Sequence, residues 1–372
     1  MERYGCPLSI LCSRTFSTFN SRSISCRSMR EPRYCLNRSS FLIEGISSTC
    51  NWSRMSSIDS VISQTPSILP ELLYFCQILG IQVSKIAEFR GHQQSVYALC
   101  QVDALHFLSA GGGGMLVKWN IGEKDGRLLA RIPEQIFSVA YDNKTGRCAL
   151  GTRVGSIYEI DVNTNVLLAQ WQAHPESIFE LSYQNKQLIS AGGDGNLRVW
   201  NTERHLEWEI PLSDKSLRSI WRHKEQLFVS GSAGKAWSID ASTWETGTVW
   251  EMSKNSVFVM CGSKEFLYSA GRDAHIHIWK DQKRIQELEA HWYSIHALAL
   301  SPDEKYLVSG SMDKSIKLWN AENGQLLKVI DRERLAAHTS SVNSIIWMDE
   351  NTFVSCSDDR TVMAFRISNL YP

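Results

Sequence analysis

A 372-residue chain that repeats itself about every 40 residues cannot fold as one ordinary globular core. Trp119, Ile160, Trp200, Ile239, Trp279, Trp319 and Phe365 close equivalent segments, at spacings of 41, 40, 39, 40, 40 and 46 residues. A small residue followed by His opens others: Gly91-His92, Ala173-His174, Ala290-His291 and Ala337-His338, each with Val or Ile four positions later. The clearest copy is Ala290 to Asn320. Its period-2 alternation predicts strands at Ile295–Leu300, Tyr306–Ser311 and Ser315–Trp319, with turns at Ser301-Pro302-Asp303-Glu304 and Met312-Asp313-Lys314. One small sheet cannot cover both of its apolar faces, so each unit must stack on its neighbours.

Gly-His opening and Trp closing a 40-residue unit resembles the WD-repeat family over residues 85 to 372. The resemblance implies an all-β chain: a seven-bladed WD-repeat β-propeller of seven units in register. The 288 residues from Lys85 onward allow about 41 per unit. Lys85 to Gly91 matches the strand that precedes each His turn, yet it stands before the first unit, and the last unit lacks an outer strand. Pairing the two closes the ring and removes the open edges.

Within each unit a polar relay is expected, running from turn to strand to indole N–H. Unit one offers His92, Ser109 and Trp119, with Gly113 at the acid position. Unit three has the full set, His174, Ser190, Asp194 and Trp200. Unit five offers Ser269, Asp273 and Trp279, with Ser253 in the His place. Unit six is again complete, with His291, Ser309, Asp313 and Trp319. Unit seven has His338, Ser355 and Asp359, with Phe365 for Trp. Units two and four are divergent. A catalytic group is needed once, whereas this set recurs, which argues for structure over a triad.

Other motifs reduce to bland readings. Gly111 to Gly114 has no Lys-Ser/Thr after it and reads as a strand turn, not a phosphate loop. His275 and His277 alternate on one strand without further ligands, so no metal is expected. No cofactor is implied. Arg218, Arg222, His223 and Lys224 read as a basic cluster near one turn, but the body from Lys85 onward has 31 basic and 34 acidic residues, net −3. No nucleic-acid stripe follows from that. No run of 18 apolar residues occurs, so no membrane span is expected. Six of the ten Cys precede residue 77, and the other four are scattered without metal-like spacing, consistent with a reduced cytoplasmic setting.

The first 84 residues are of another composition. Residues 1 to 54 hold eight Arg, no Lys and three acids, and 15 of the first 60 residues are Ser. A transit peptide directing organellar import, a disordered tail, and an upstream start codon with Met55 or a later residue as the true start are all open readings. Residues 70–79 could form one short helix beginning at Pro70.

In propellers resembling this one, partners dock where the His and Asp turns emerge. The positions pointing there, five residues after each His place, are Tyr97, Phe137, Phe179, Arg218, Phe258, His296 and Asn343. Those one before each Asp place include Arg153, Gly193, Arg272, Met312 and Asp358. Aromatics and Arg dominate binding hot spots, so this composition suits a recognition patch, although inward aromatics also plug channels. The expectation is a non-catalytic scaffold for protein or peptide partners, acting as a monomer within a larger complex. A channel enzyme or small-ligand binder is the alternative, with only His296 and Asp358 to serve it. A ubiquitin-ligase substrate receptor is disfavoured, because Gly122, Glu203, Gln282 and Glu322 stand where such members tend to carry Arg or Lys.

Overall fold

The computed structural model describes residues 80–369, and these form seven four-stranded antiparallel sheets, each a blade. The leader expected at residues 1–54 and the helix expected at 70–79 lie outside the described residues. In six blades the strands follow chain order; blade 7 is ordered Ile81–Arg90, Thr361–Asn369, Thr352–Ser357, Val342–Trp347. The N-terminal strand therefore supplies the outer edge of the last blade, and the ring is closed by main-chain pairing from Ile81↔Asn369 to Arg90↔Thr361.

That closing strand begins at Ile81, four residues before the sequence reading placed it. Burial explains the extension. Ile81 is buried in the apolar cluster between blades 6 and 7, and Phe89 in the cluster between blades 7 and 1. One strand thus seals two seams. Burying a phenyl ring contributes on the order of 2–3 kcal/mol. Phe89 sits 5.3 Å from both Phe107 and Trp119.

Each of the seven seams between blades has its own apolar cluster among the described residues. The alternating pattern of the sequence is the cause, since each inner strand feeds one face to each neighbour. The long spacing before Phe365 also has a local cause. A single helical turn, Arg332–Leu335, is inserted in the last connection, capped by Asp331 accepting from Arg334 N at 2.9 Å and ended by Ala336 at φ 48°. In blade 6 the third strand is Ile316–Asn320, one residue later than expected. Ser315 is held back in the turn, its N and Oγ donating to Asp313 Oδ1 at 2.9 and 2.6 Å.

Candidate functional site

Two constellations repeat around the ring, and they differ in what reaches solvent. The first is internal. In blade 6, Trp319 Nε1 donates to Ser309 Oγ (2.9 Å), His291 Nε2 lies 2.7 Å from the same oxygen, and His291 Nδ1 lies 2.9 Å from Asp313 Oδ2. One assignment satisfies every group: indole to serine, serine hydroxyl to Nε2, and Nδ1–H to carboxylate. Blade 3 repeats it through Trp200, Ser190, His174 and Asp194 at 3.0, 2.7 and 2.9 Å. Blade 7 keeps His338 to Ser355 at 2.8 Å and to Asp359 at 3.0 Å, while Phe365 stacks on Phe353 where the indole would be. Blade 1 lacks the acid: His92 is 2.6 Å from Ser109, which accepts from Trp119 at 2.7 Å.

Blade 5 solves the missing histidine in a way the sequence did not disclose. Trp279 donates to Ser269 at 2.8 Å, and Ser253 Oγ donates to Asp273 at 2.6 Å. The imidazole facing Asp273 comes from another strand: His277 Nε2 is 3.0 Å from Oδ2. His277 is buried, and His275 Nδ1 meets the Asp273 carbonyl at 2.7 Å. The pair that alternation singled out is therefore internal hydrogen bonding around Asp273.

Electrostatics follow the partners. Burial works to raise the Asp194 and Asp273 carboxyls, but hydrogen bonds from Arg198 and His174, and from His277 and Ser253, outweigh it and hold both at about 2. Asp313 and Asp359 are held lower still by the same balance, through His291 and His338. Burial lowers His174 and His291, partly countered by their aspartates, and it takes acid-less His92 down to about 4. These sets mimic a Ser-His-Asp triad in distance alone. Ser109, Ser190, Ser309 and Ser355 are fully buried, so a substrate has no path to their Oγ.

The second constellation is a collar. In the innermost strand of every blade the register skips one residue, between Val96/Ala98, Ile136/Ser138, Ile178/Glu180, Leu217/Ser219, Val257/Val259, Ile295/Ala297 and Val342/Ser344. The skipped residues are Tyr97, Phe137, Phe179, Arg218, Phe258, His296 and Asn343. A bulge re-aims the side chain it displaces, and here seven of them bring the seven into one chain of contacts. Tyr97 meets Phe137 edge-on at 5.3 Å, and Phe137 stacks on Phe179 at 5.8 Å. The Arg218 guanidinium carbon lies 3.6 Å from the Phe179 centroid and 5.5 Å from that of Phe258. Phe258 meets His296 at 5.4 Å. Asn343 closes the circuit, donating to Val96 O at 2.9 Å and Asp358 Oδ1 at 2.8 Å. All seven are half-buried.

Around the collar, Arg153, Arg272 and Met312 are exposed, Asp358 is half-buried and Gly193 is buried. Arg218 does not form the basic cluster read from the sequence. It stands at the collar end of strand Leu217–His223, whereas Arg222, His223 and Lys224 occupy the other end, where Arg222 Nε donates to Lys224 O at 2.6 Å. A strand of that length separates the two ends by roughly 20 Å.

Sequence reasoning missed two features. Trp292 and Tyr293, in the turn after His291, are 79% and 62% exposed, and Met312 beside them is 53% exposed. They adjoin the collar through Ser294, whose Oγ is 3.0 Å from His296 Nε2 and 3.8 Å from Met312 Sδ. An aromatic pair in an otherwise polar turn was the available signal. Glu180, following Phe179, is the other; burial pushes its carboxyl up to about 8. Among the described residues no helix is long and apolar enough to cross a membrane, and no group of three or more His, Cys, Asp or Glu is placed to hold a metal ion.

A family model, "WD domain, G-beta repeat", matches residues 165–201, 282–320 and 329–365. Each window takes in the three inner strands, or nearly all of them, of blade 3, 6 or 7, the three in which histidine, serine and aspartate are all joined. The chain carries WD repeats and is a seven-bladed WD-repeat β-propeller. Protein HIR1 of Gibberella zeae is 28% identical over 219 residues, 56% of this chain and 20% of that protein. Striatin-3 of Mus musculus is 29% identical over 192 residues, 46% of this chain and 24% of that protein. The chain thus spans only about a fifth to a quarter of the curated relatives it matches. The WD40 β-propeller domain of Doa1 superposes with a TM-score of 0.68 at 20% identity, covering 76% of this chain and 96% of that domain, a likeness of fold.

Proposed function

We propose that this chain is a non-catalytic scaffold that binds a peptide segment of a protein partner on the collar face of the propeller. The observation that carries the reading is the exposed Trp292, Tyr293 and Met312 adjoining the half-buried collar. Large apolar side chains grouped in the open and rimmed by polar residues mark interaction surfaces, and aromatics are the anchors of such surfaces. Being similar over part of its length to HIR1 and striatin-3 is compatible with a non-catalytic role. A body of net charge −3 gives no footing for nucleic acid, so protein is the partner class, met as a monomer within a larger complex in the cytoplasm. The alternative of a channel enzyme has little to work with, since among the collar positions named only His296 and Asp358 suit acid–base work at neutral pH.

The test is proximity labelling with the intact chain, its Trp292→Ala/Tyr293→Ala variant and its Phe179→Ala/Phe258→Ala variant. The surface pair should lose the main partner with melting unchanged. Loss of about 2 kcal/mol per anchor corresponds to roughly thirtyfold in affinity. If the surface pair keeps every partner, and the phenylalanine pair loses only stability, the collar is a plug and the reading fails.

A further inference from the structure

Arg218 occupies an unusual place in the collar. Its guanidinium lies over the Phe179 ring at 3.6 Å and within 5.5 Å of Phe258, and its Nε is buried with no hydrogen-bond partner. Among the described residues no carboxylate pairs with it. Burial lowers its pKa from the usual arginine value, yet arginine stays charged at any physiological pH. A desolvated cation held by ring faces alone recovers only part of its lost hydration. Its terminal nitrogens are the donors left for a ligand.

The surroundings indicate the sign and size of that ligand. Arg153 and Arg272 flank the same mouth, both exposed; of the acids there, Asp358 is tied to Asn343 at 2.8 Å and Glu176 lies against Gly193, and neither pairs with Arg218. Three arginines, Arg153, Arg218 and Arg272, thus stand on the side of blades 2 to 5. Two terminal nitrogens of one guanidinium match the two oxygens of a carboxylate. A phosphate dianion draws on several converging donors, and here the other two arginines stand out on the rim. The phenyl rings of Phe179 and Phe258 would exclude water around the pair.

Resting on the scaffold reading above, we propose that Arg218 is the anchor for an acidic side chain of the partner peptide, a Glu or Asp carboxylate inserted into the collar between Phe179 and Phe258. The occupant is a peptide segment with one buried acid, not a basic or methylated-lysine segment, which Arg218 would repel.

The experiment uses the full chain as bait. Random octapeptides displayed on phage are selected against it, and recovered sequences are synthesised for fluorescence anisotropy. The selected peptides should share an acidic residue, and Glu→Gln in the peptide should weaken binding about tenfold or more, the usual scale of a charged hydrogen-bonded pair. Against Arg218→Met the Glu and Gln peptides should bind alike. That variant should also melt no lower than wild type, because it removes a half-buried cation whose buried Nε has no partner. Arg218→Lys, which keeps the charge and loses the fork, should retain part of the preference; this and the peptide-side exchange decide the matter if Arg218→Met folds poorly. Glu and Gln peptides binding wild type equally would overturn the anchor and leave the scaffold reading standing. Selection of no peptide at all would overturn both. A phosphoserine peptide binding tenfold tighter than its Glu counterpart would replace the carboxylate with a phosphate and so also overturn the proposal.

Discussion

Blade 6 and blade 2 occupy the same kind of position in the ring and hold themselves together by opposite means. In blade 6 the interior carries a histidine, a serine, an aspartate and an indole joined end to end. In blade 2 the corresponding places hold Ile132, Leu150 and Ile160, all buried in one apolar cluster. Blade 4 follows blade 2, with Val229 and Ile239 packed in the cluster beside blade 3. A buried polar group is tolerable when every partner is present and costly when one is missing. At these two extremes the chain uses the full network or replaces the serine and the indole with hydrocarbon. Blade 5, where Ser253 took the histidine's place, meets the same rule by bringing His277 to Asp273.

The largest test of that rule is Asp313→Ala. It would remove the carboxylate from His291 Nδ1, Trp292 N and Ser315, leaving Nδ1 only Ser315 Oγ at 3.1 Å, and about 4 kcal/mol should be lost, since hydrogen bonds to a charged group contribute about 1.5–3 each. Urea denaturation measures it; a shift under 1 kcal/mol would mean that the network does not hold blade 6. Leu150→Ser makes the reverse error in blade 2, leaving a hydroxyl and a cavity among hydrocarbon. About 3 kcal/mol should be lost in the same assay, whereas a neutral outcome would erase the distinction between the two blades.

Blade 1 stands between these extremes, and pH resolves it. His92 has a folded pKa of about 4 against 6.5 unfolded, so the unfolded chain binds the proton first. Stability should fall as pH drops from 6.5 toward 4 and then level off for this group, by roughly 2–3 kcal/mol at about 1.4 per unit after allowing for its partial exposure. Below about 4 the aspartates take over, because those held near 2 lose their contribution as they protonate. Histidine NMR titration of His92 beside urea melts at each pH checks the sign. Smallest of all is Gly113→Asp. A Cβ at Gly113 would meet only ordinary contacts, Gln94 Cβ and Met115 Cγ at 4.0 Å, and its φ is not left-handed, so an aspartate there fits and can turn toward His92. A gain of about 1 kcal/mol at pH 7 and a raised His92 pKa are expected. Both should be absent if the acid points to solvent.

Much of the fold was legible. The spacing of Trp119, Trp200, Trp279 and Trp319 implied seven units, and the spare segment before His92 implied closure onto the last blade. Blades 3, 6 and 7 declared their polar sets because histidine, serine and aspartate recur at fixed offsets. Blade 5 did not, since nothing at the offset of Ser253 points to a histidine 24 residues on. The edges of strands were less clear: Ile81 joins the closing strand because two seams bury that segment, and Ser315 leaves its strand because Asp313 captures it. The collar was legible as positions but not as an arrangement.

What the sequence determined by itself was therefore everything written in the repeat: alternation within strands, turn residues between them, and side chains at constant offsets from each histidine. What only the tertiary structure decided lies between repeats. Phe179, Arg218 and Phe258 stand 39 and 40 residues apart and touch only because the inner strands converge on one axis and each is bulged at the same step. The exposure of Trp292 depends likewise on what the neighbouring blade leaves uncovered. Local pattern sets the backbone of a blade through short-range sterics and hydrogen bonding; the contacts at the mouth depend on the closure of all seven, which no single unit encodes.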